Sequence, residues 1–128
     1  MTLSHPSTHW LTDRIIGAAV EVHRHLGPGL LESTYEECLC YELDEASISF
    51  RRQPTLPVIY KGRRLQAYYR PDLIIHEQAI VEIKAVEKLI DVHTAQVLTY
   101  LRHSNTKIGL LLNFNAKTLV DGMKRISL

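Results

Sequence analysis

The sequence predicts an α/β fold in which helices flank a mixed β-sheet. The predicted order is helix, helix, three strands, helix and strand, with a last segment that forms another strand. Two amphipathic helical segments open the chain, and the apolar spacing changes to the period of a strand from Ser49. We expect the 128 residues to form one domain, because a chain of this length buries roughly two thirds of its unfolded surface.

The first two segments are predicted to be amphipathic helices. Apolar residues recur at helical spacing over Leu11–Leu26, and Gly27-Pro28 ends that helix because proline cannot continue it. A second helix fits Leu31–Ala46. Its predicted buried stripe consists of Leu31, Tyr35, Leu39, Leu43 and Ala46. The acidic residues predicted to lie largely outside that stripe are Glu36, Glu37, Asp44 and Glu45. Glu32 is the exception, because it lies at the edge of the inward face.

Three strands are predicted next. The stretch ISFRRQPTLPVIY predicts an irregular edge strand, since its prolines remove donors from a ladder. A tight turn at Lys61-Gly62 leads into a second strand, RRLQAYYRPDLII. A short polar turn at His76–Gln78 then leads into a third strand, AIVEIKAV.

A third helix and a further strand complete the pattern. Asp91 is predicted to be the N-cap of a helix that runs to about His103, since its carboxylate can accept the first free amides. The stretch IGLLLNF has the composition of a strand that is covered on both faces. The tail, TLVDGMKRISL, is predicted to be a strand, or a strand and a turn.

The bulk properties exclude several classes of protein. The net charge of +1 argues against a pure nucleic-acid-binding module but allows an enzyme whose positive charge is concentrated locally. The apolar runs are too short to span a membrane, and MTLSHPSTHW lacks the layout of a secretory signal. Cys38 and Cys40 point in different directions on a helix, which predicts free thiols in a reducing compartment. We therefore expect a cytoplasmic protein without a membrane partner.

The hairpin around Glu77 is predicted to bring two carboxylates together. Asp72 and Glu82 are equally distant from that residue along the chain, so they face one another if the turn is centred there. Directly opposed β-carbons lie about 4.5–5.5 Å apart. Two carboxylates at that distance repel unless one holds a proton or a cation lies between them. A hard divalent ion such as Mg²⁺ or Mn²⁺ suits such oxygen ligands.

Lys84 is predicted to point to the same face of the sheet as Glu82, two residues before it. An ammonium there would position the attacking water or balance charge that develops on a phosphate. Both residues interrupt an otherwise apolar strand, and burying such groups costs several kcal/mol each unless they are paired or coordinated. The alternative is a structural Glu82–Lys84 ion pair, with Asp72 bound to Arg70 or to a turn amide. The spacing alone leaves both interpretations open.

Three motifs, in order, resemble one nuclease superfamily. Pro71-Asp72, a nine-residue gap and Glu82-Ile83-Lys84 resemble the PD-(D/E)XK signature of the restriction-endonuclease-like nucleases. The segment Gly29–Tyr35, GLLESTY, is similar to G-x-x-E-x-x-Y, the motif of the GxxExxY family within that superfamily. Gln96–Tyr100 resembles the Q-x-x-x-Y helix of several exonuclease-like branches. The likeness extends from about Leu11 to Ile126.

The resemblance implies a restriction-endonuclease-like core, a divalent metal (Mg²⁺ or Mn²⁺) and cleavage of phosphodiester bonds. Asp72 and Glu82 would bind the metal, and the carbonyl of Ile83 would be a further ligand. Lys84 would orient the attacking water. Glu32 would be the helical carboxylate that this superfamily often adds to the metal or to its water shell; otherwise it is one of several solvated glutamates.

The third helix would contribute residues that contact the substrate. Gln96 and Tyr100 lie one turn apart on one face, and in the resembling branches they line the site. The alternative is a helix that buries Tyr100 with its hydroxyl satisfied elsewhere. His93 is a further candidate to face the site, whereas Tyr35 is predicted to be a core aromatic rather than a catalyst.

Two functions follow from these expectations. The first is a metal-dependent nuclease that acts on DNA rather than RNA. The second is a catalytically silent nuclease-fold module that binds nucleic acid or a protein partner. The intact Asp72, Glu82 and Lys84 favour the first. The near-neutral charge and small size favour the second, or a nuclease that needs a homodimer or a protein partner to hold DNA.

Overall fold

The computed structural model describes residues 8–128, and the predicted absence of a secretory signal concerns a segment that lies largely outside them. In these residues the helices are α1 (Thr8–Leu26), α2 (Glu32–Glu45) and α3 (Asp91–Arg102). The strands are β1 (Phe50–Arg52), β2 (Leu56–Tyr60), β3 (Arg63–Tyr69), β4 (Leu73–Ile75), β5 (Ala79–Lys84), β6 (Ile108–Asn113) and β7 (Met123–Ser127). A short 3₁₀ helix, Val120–Gly122, precedes β7.

The main sheet has five strands in the order β1-β4-β5-β6-β7, and three helices flank it. Strands β5 and β6 are parallel, whereas the other neighbours are antiparallel. Strand β6 is buried from Gly109 to Asn113, as expected for a strand covered on both faces. The predicted α/β class with a mixed sheet is therefore confirmed, and the architecture is consistent with a restriction-endonuclease-like fold.

The helices form two layers, one on each face of the sheet. Helices α1 and α2 pack on the face that carries Leu73, Val81 and Ile83, and α3 packs on the opposite face. Gly109 of β6 permits the close approach of α3, because a β-carbon there would lie only 2.5 Å from Cγ1 of Val97. This approach holds the inner face of α3 against the sheet.

The first two helices follow the predicted pattern with two corrections. Helix α1 ends where predicted: Gly27 has a φ of 69° and donates to the carbonyl of His23 at 2.8 Å. Leu31 is 74% exposed, because it is the extended N-cap residue of α2 and lies outside the helical stripe. Glu36 is buried rather than exposed, because Arg52 binds its carboxylate from β1.

The predicted second strand, RRLQAYYRPDLII, is in fact two strands in different sheets. Strand β3 pairs only with β2 in a separate two-stranded sheet, whereas β4 joins the main sheet. The break falls at Arg70-Pro71, where proline offers no amide for a ladder. The predicted edge strand also divides, around Pro54, and its first part, β1, is the edge of the main sheet.

Helix α3 begins one residue earlier than predicted, because the predicted N-cap residue, Asp91, is already helical. Ile90 is the N-cap residue and Asp91 is the first helical residue. The side chain of His93 reaches back, and its Nδ1 accepts a hydrogen bond from the amide of Ile90 at 3.0 Å. Asp91 still stabilises this end, because a carboxylate in the first turn complements the helix dipole.

The cysteines are free, as predicted; Cys40 is buried and Cys38 is half-buried. Burial raises the pKa of the Cys40 thiol to about 11, so the thiol stays protonated at neutral pH. Within residues 8–128, no helix combines the length and the apolar character needed to cross a membrane.

Candidate active site

The site begins at the hairpin between β4 and β5. His76 and Glu77 both have positive φ values, 54° and 53°, which a tight hairpin turn favours. The turn fixes three ladder pairs: Leu73 with Val81, Ile74 with Ile80 and Ile75 with Ala79. These pairs are equally distant from Glu77, so the predicted register is confirmed.

One step beyond these pairs, Asp72 and Glu82 come together. The amide of Asp72 donates to Oε1 of Glu82 at 3.0 Å, and the amide of Ile83 donates to Oδ2 of Asp72 at 2.7 Å. Each carboxylate therefore binds the backbone of the other strand. These two bonds use one oxygen of each carboxylate, and the second oxygen of Glu82 lies 3.7 Å from Nζ of Lys84.

Burial makes this carboxylate pair difficult to ionise. Burial and the charge of Asp72 together raise the pKa of Glu82 to about 8, although the amide of Asp72 and the charge of Lys84 oppose the shift. Burial, with a smaller contribution from the charge of Glu36, raises the pKa of Asp72 to about 6 against the opposing effect of the Ile83 amide. At neutral pH the pair therefore retains a proton that two solvated carboxyls would have lost.

Lys84 links the carboxylates to α3. Its Nζ lies 3.7 Å from Oε2 of Glu82 and donates to Oε1 of Gln96 at 2.9 Å. The amide nitrogen of Gln96 then donates to the hydroxyl of Tyr100 at 3.0 Å. Burial raises the pKa of Tyr100 to about 12, so its hydroxyl keeps its proton and can donate it. The structure thus joins four of the predicted site residues in one chain of polar contacts.

Helix α2 brings two further carboxylates to the same end of the sheet. Oε2 of Glu32 accepts a hydrogen bond from the amide of Ala85 at 3.1 Å, although most of its side chain is exposed. Its charge raises the pKa values of Asp72 and Glu82, so the three groups share one electrostatic environment. Glu32 therefore lies at the end of β5 that carries Glu82 and Lys84, and its part in the site stays a prediction.

Sequence reasoning missed the second of these carboxylates, Glu36. Its Oε2 accepts from Arg52 at 2.6 Å and from the side-chain amide of Gln53 at 3.0 Å. It also lies close enough to Asp72 to raise the pKa of that carboxyl through charge and a hydrogen bond. A usable signal was present, because Glu36 follows Glu32 by four residues and so shares its face of the helix.

The GLLESTY segment has a structural explanation. The hydroxyl of Tyr35 donates to the carbonyl of Gly27 at 2.6 Å and accepts from the amide of Leu30 at 3.1 Å. Its ring stacks on Phe114 with 4.6 Å between the centroids. Tyr35 is therefore a core aromatic, as predicted, and it ties down the loop from which Glu32 begins α2.

The loop after β5 is held by Asn113, which sequence reasoning also missed. Asn113 lies beside Lys84 in the parallel register. Its side-chain amide donates to the carbonyl of Val86 at 2.9 Å, and its oxygen accepts from the amide of Val86 at 3.1 Å. These reciprocal bonds fix the course of the chain directly after the lysine. A buried asparagine at the end of an apolar strand is the pattern that could have indicated it.

His93 faces the site, as one interpretation of the sequence proposed. With Lys84 and Gln96 it lines an open cavity of about 510 Å³ beside the start of α3. Its Nδ1 accepts from Ile90, so the proton of the neutral ring is on Nε2.

The donor set fits a hard cation, although it is small. The pKa values of Asp72 and Glu82 are raised because both carboxyls are buried and lie near other carboxylates, and a cation between them would relieve both effects. Across residues 8–128, however, no group of three or more His, Cys, Asp or Glu side chains is arranged to hold a metal ion. A metal here would therefore rely on two carboxylates, backbone oxygen and water.

A comparison with protein families identifies the superfamily of the chain. A model of the PD-(D/E)XK nuclease superfamily matches residues 9–126, nearly the whole chain. The chain belongs to this superfamily. Members of the PD-(D/E)XK superfamily are generally nucleases that bind nucleic acid and typically use divalent metals. Neither the curated proteins nor the solved structures compared with the chain gave a match.

Proposed function

We propose that this PD-(D/E)XK protein is a Mg²⁺- or Mn²⁺-dependent nuclease that hydrolyses the phosphodiester bonds of DNA. The observation that carries the proposal is the buried pair of Asp72 and Glu82, with Lys84 beside it. Burying three ionisable groups at one end of an apolar sheet costs free energy, and a bound cation would offset that cost. The choice of DNA over RNA rests on the resemblance to restriction-endonuclease-like enzymes.

In this proposal Asp72, Glu82 and the carbonyl of Ile83 hold the metal, and Glu32 contacts it or its water shell. When bound, a divalent ion supplies a Lewis acid at the phosphate and lowers the pKa of a water. Lys84 orients the attacking water from the side of Glu82. Its ammonium also balances negative charge that develops on the phosphate in the transition state.

Helix α3 orients the lysine and the substrate. Gln96 accepts from Lys84 and donates to Tyr100, so its amide has one orientation and restricts where the ammonium lies. The Tyr100 oxygen accepts that bond, which leaves its own proton for a phosphate oxygen of the substrate backbone. His93 offers a second donor, Nε2–H, from the neighbouring cavity.

The placement in the GxxExxY branch remains a prediction. It is supported by the roles that the motif positions have in the structure: Gly29 has a φ of 99°, and Tyr35 fastens the loop before α2. Together they hold Glu32 at the end of β5, where it accepts from Ala85. The motif therefore delivers a carboxylate to the site.

A second candidate function is a catalytically silent module that binds nucleic acid or a protein partner. The absence of a three-residue metal cluster within residues 8–128 favours it. The two candidates differ in what they require of Lys84, because a silent module needs it only for packing.

The test compares cleavage and binding in wild type, Lys84→Ala and a matched Lys88→Ala control, which removes an exposed lysine from the loop after β5. We expect Lys84→Ala to fold and bind DNA nearly as well as wild type, while cleavage falls on the order of 10²–10³-fold. Lys88→Ala should cleave at the wild-type rate. Equal cleavage by wild type and Lys84→Ala would refute the mechanism. Binding without cleavage by wild type, in Mg²⁺ or Mn²⁺, would establish the silent module.

A further inference from the structure

The positive charge of the chain is concentrated in one segment. Residues 46–71 contain six arginine and lysine residues and no aspartate or glutamate. The whole chain has 15 basic and 14 acidic side chains, so the remainder holds nine basic and 14 acidic ones. The net charge of +1 therefore conceals a basic segment on an otherwise acidic protein.

Most of this charge lies on or beside the ribbon, by which we mean strands β2 and β3 with their turn, Leu56–Tyr69. Arg51 and Arg52 precede it and bind Glu77 and Glu36. The remaining four are Lys61, Arg63, Arg64 and Arg70. Within residues 8–128 none of these four forms an ion pair. Their charges are therefore available to an anionic partner.

The base of the ribbon packs on the protein, and the rest of the ribbon is exposed. Leu56 is buried and Tyr69 packs its ring against Tyr100 and His103 of the α3 layer. All residues from 59 to 68 are exposed, and Tyr68 is 57% exposed. A two-stranded ribbon is only marginally stable by itself, and exposed aromatic side chains do not add to its packing. Several of them together on such a ribbon indicate a contact surface.

One face of the ribbon combines an aromatic ring with a guanidinium. Tyr68 is directly opposite Pro57, and Arg64 is opposite Ile59 across an irregularity in the register. Opposed residues share a face, so Tyr68 lies with Pro57 and Arg64 with Ile59. Arg64, Tyr68 and Pro57 line an open cavity of about 340 Å³. A second cavity of about 440 Å³ continues from Pro57 and Ile59 to Arg102 at the end of α3.

We propose that this face of the ribbon binds single-stranded nucleic acid, with a base stacked on Tyr68 and phosphates held by Arg64 and Arg102. An exposed aromatic ring can stack on any base, and arginines beside it can contact the phosphates of the nucleic-acid backbone. The base must, however, be unstacked from its neighbours in the strand. A duplex does not offer such a base along its length. Pairing with the ribbon of a second copy is opposed by four unpaired positive charges with no acidic side chain among them.

The ribbon also leads to the carboxylates. Strand β3 ends at Tyr69, three residues before Asp72, and the Tyr69 ring lies 6.0 Å from that of Tyr100. At about 3.3 Å per residue, the seven residues of β3 carry the ribbon roughly 23 Å away from the site. A strand held along this face would therefore run towards the site. The inference rests on the proposed function and deepens it, because it names single strands and unpaired ends as the substrate class.

The test measures binding of a labelled single-stranded DNA and of a blunt duplex by fluorescence anisotropy, in EDTA so that no cleavage occurs. The test variant is Arg64→Gln/Tyr68→Ala. The matched control, Tyr60→Ala/Arg63→Gln, makes the same chemical changes on the opposite face of the same ribbon, and thermal melts check that both fold. We expect the test variant to lose at least about fivefold in single-strand affinity from the ring alone. Each lost phosphate contact should also reduce the salt slope by about 0.7.

The outcomes are distinguishable. Loss of single-strand binding in the test variant but not in the control supports the proposal. Equal loss in both variants, equal loss for single strand and duplex, or wild-type binding by the test variant overturns it. The proposal is also overturned if wild type is a dimer in sedimentation while the test variant is a monomer with unchanged DNA affinity. That result would make the ribbon a protein interface. Failure of wild type to cleave, with this binding pattern intact, would count against the proposed nuclease and not against the ribbon.

Discussion

Neutralising the carboxylate pair should change how the stability of the protein depends on pH and on metal. The double variant Asp72→Asn/Glu82→Gln preserves shape, and each amide oxygen can still accept the backbone bond that the carboxylate accepts. It removes the repulsion and the burial of charge that raise the pKa values of Asp72 and Glu82. The variant therefore isolates the electrostatic role of the pair from its packing.

The sign of the effect follows from the direction of these shifts. Both pKa values are raised in the folded state, Asp72 from 3.8 to about 6 and Glu82 from 4.5 to about 8. The stability that the pair contributes is therefore fully present below the unfolded pKa values and is lost as pH rises through the folded ones. Each unit corresponds to about 1.4 kcal/mol. For the coupled pair, the loss without metal should be on the order of 5 kcal/mol between about pH 4 and pH 8.

A divalent cation should reverse this loss, because it binds the ionised form. At a large excess over Kd we expect Mg²⁺ to stabilise wild type by roughly 1–3 kcal/mol, and more at about pH 8 than at about pH 5.5. The assay is urea denaturation followed by circular dichroism, with EDTA or with Mg²⁺, at several pH values across this window. Glu77→Gln, which changes an exposed carboxylate at the far end of the hairpin, is the control and should respond as wild type does.

Two results would refute this reasoning. One is the same Mg²⁺ stabilisation in wild type and in Asp72→Asn/Glu82→Gln, which would place the cation elsewhere. The other is a metal-free wild type whose free energy of unfolding rises from about pH 5 to pH 8 relative to the double variant, which would mean that the pair is not desolvated.

Three further changes test the residues that support the site. Glu36→Gln should destabilise the fold by about 1–3 kcal/mol in urea denaturation, because Arg52 loses its partner; an unchanged midpoint would contradict this. Gly109→Ala should cost about 1–3 kcal/mol, since the new methyl overlaps Val97, and adding Val97→Ala should restore most of that loss. Tyr35→Phe should cost about 1–3 kcal/mol in thermal or urea melts through its two loop hydrogen bonds, whereas an unaltered stability would show that they are dispensable.

Much of the fold around the site, and the pairing within it, could be predicted from the sequence, because both depend on backbone preferences of neighbouring residues. Gly27 ends α1 through a left-handed conformation that glycine adopts readily. A tight turn sets the pairing of the residues on either side of it, so the position of Glu77 was enough to bring Asp72 opposite Glu82. The two-residue period of a strand then puts Lys84 on the same face.

The tertiary structure alone decided what surrounds these residues. Glu36 is buried because Arg52, sixteen positions away, binds it, and no pattern within α2 contains that information. Lys84 could have remained in a simple ion pair, but the packing of α3 brings Gln96 to it.

The sequence pattern also could not predict that β3 and β4 belong to different sheets, because alternating polar and apolar residues are expected of a strand in either sheet. Pro71 indicated a break, but only the assembled fold shows that the residues before it leave the main sheet and form an exposed basic ribbon. Local backbone preferences act over a few residues and can be read in order along the chain. Partners distant in sequence are chosen by the packing of whole layers, and that choice exists only in the folded protein.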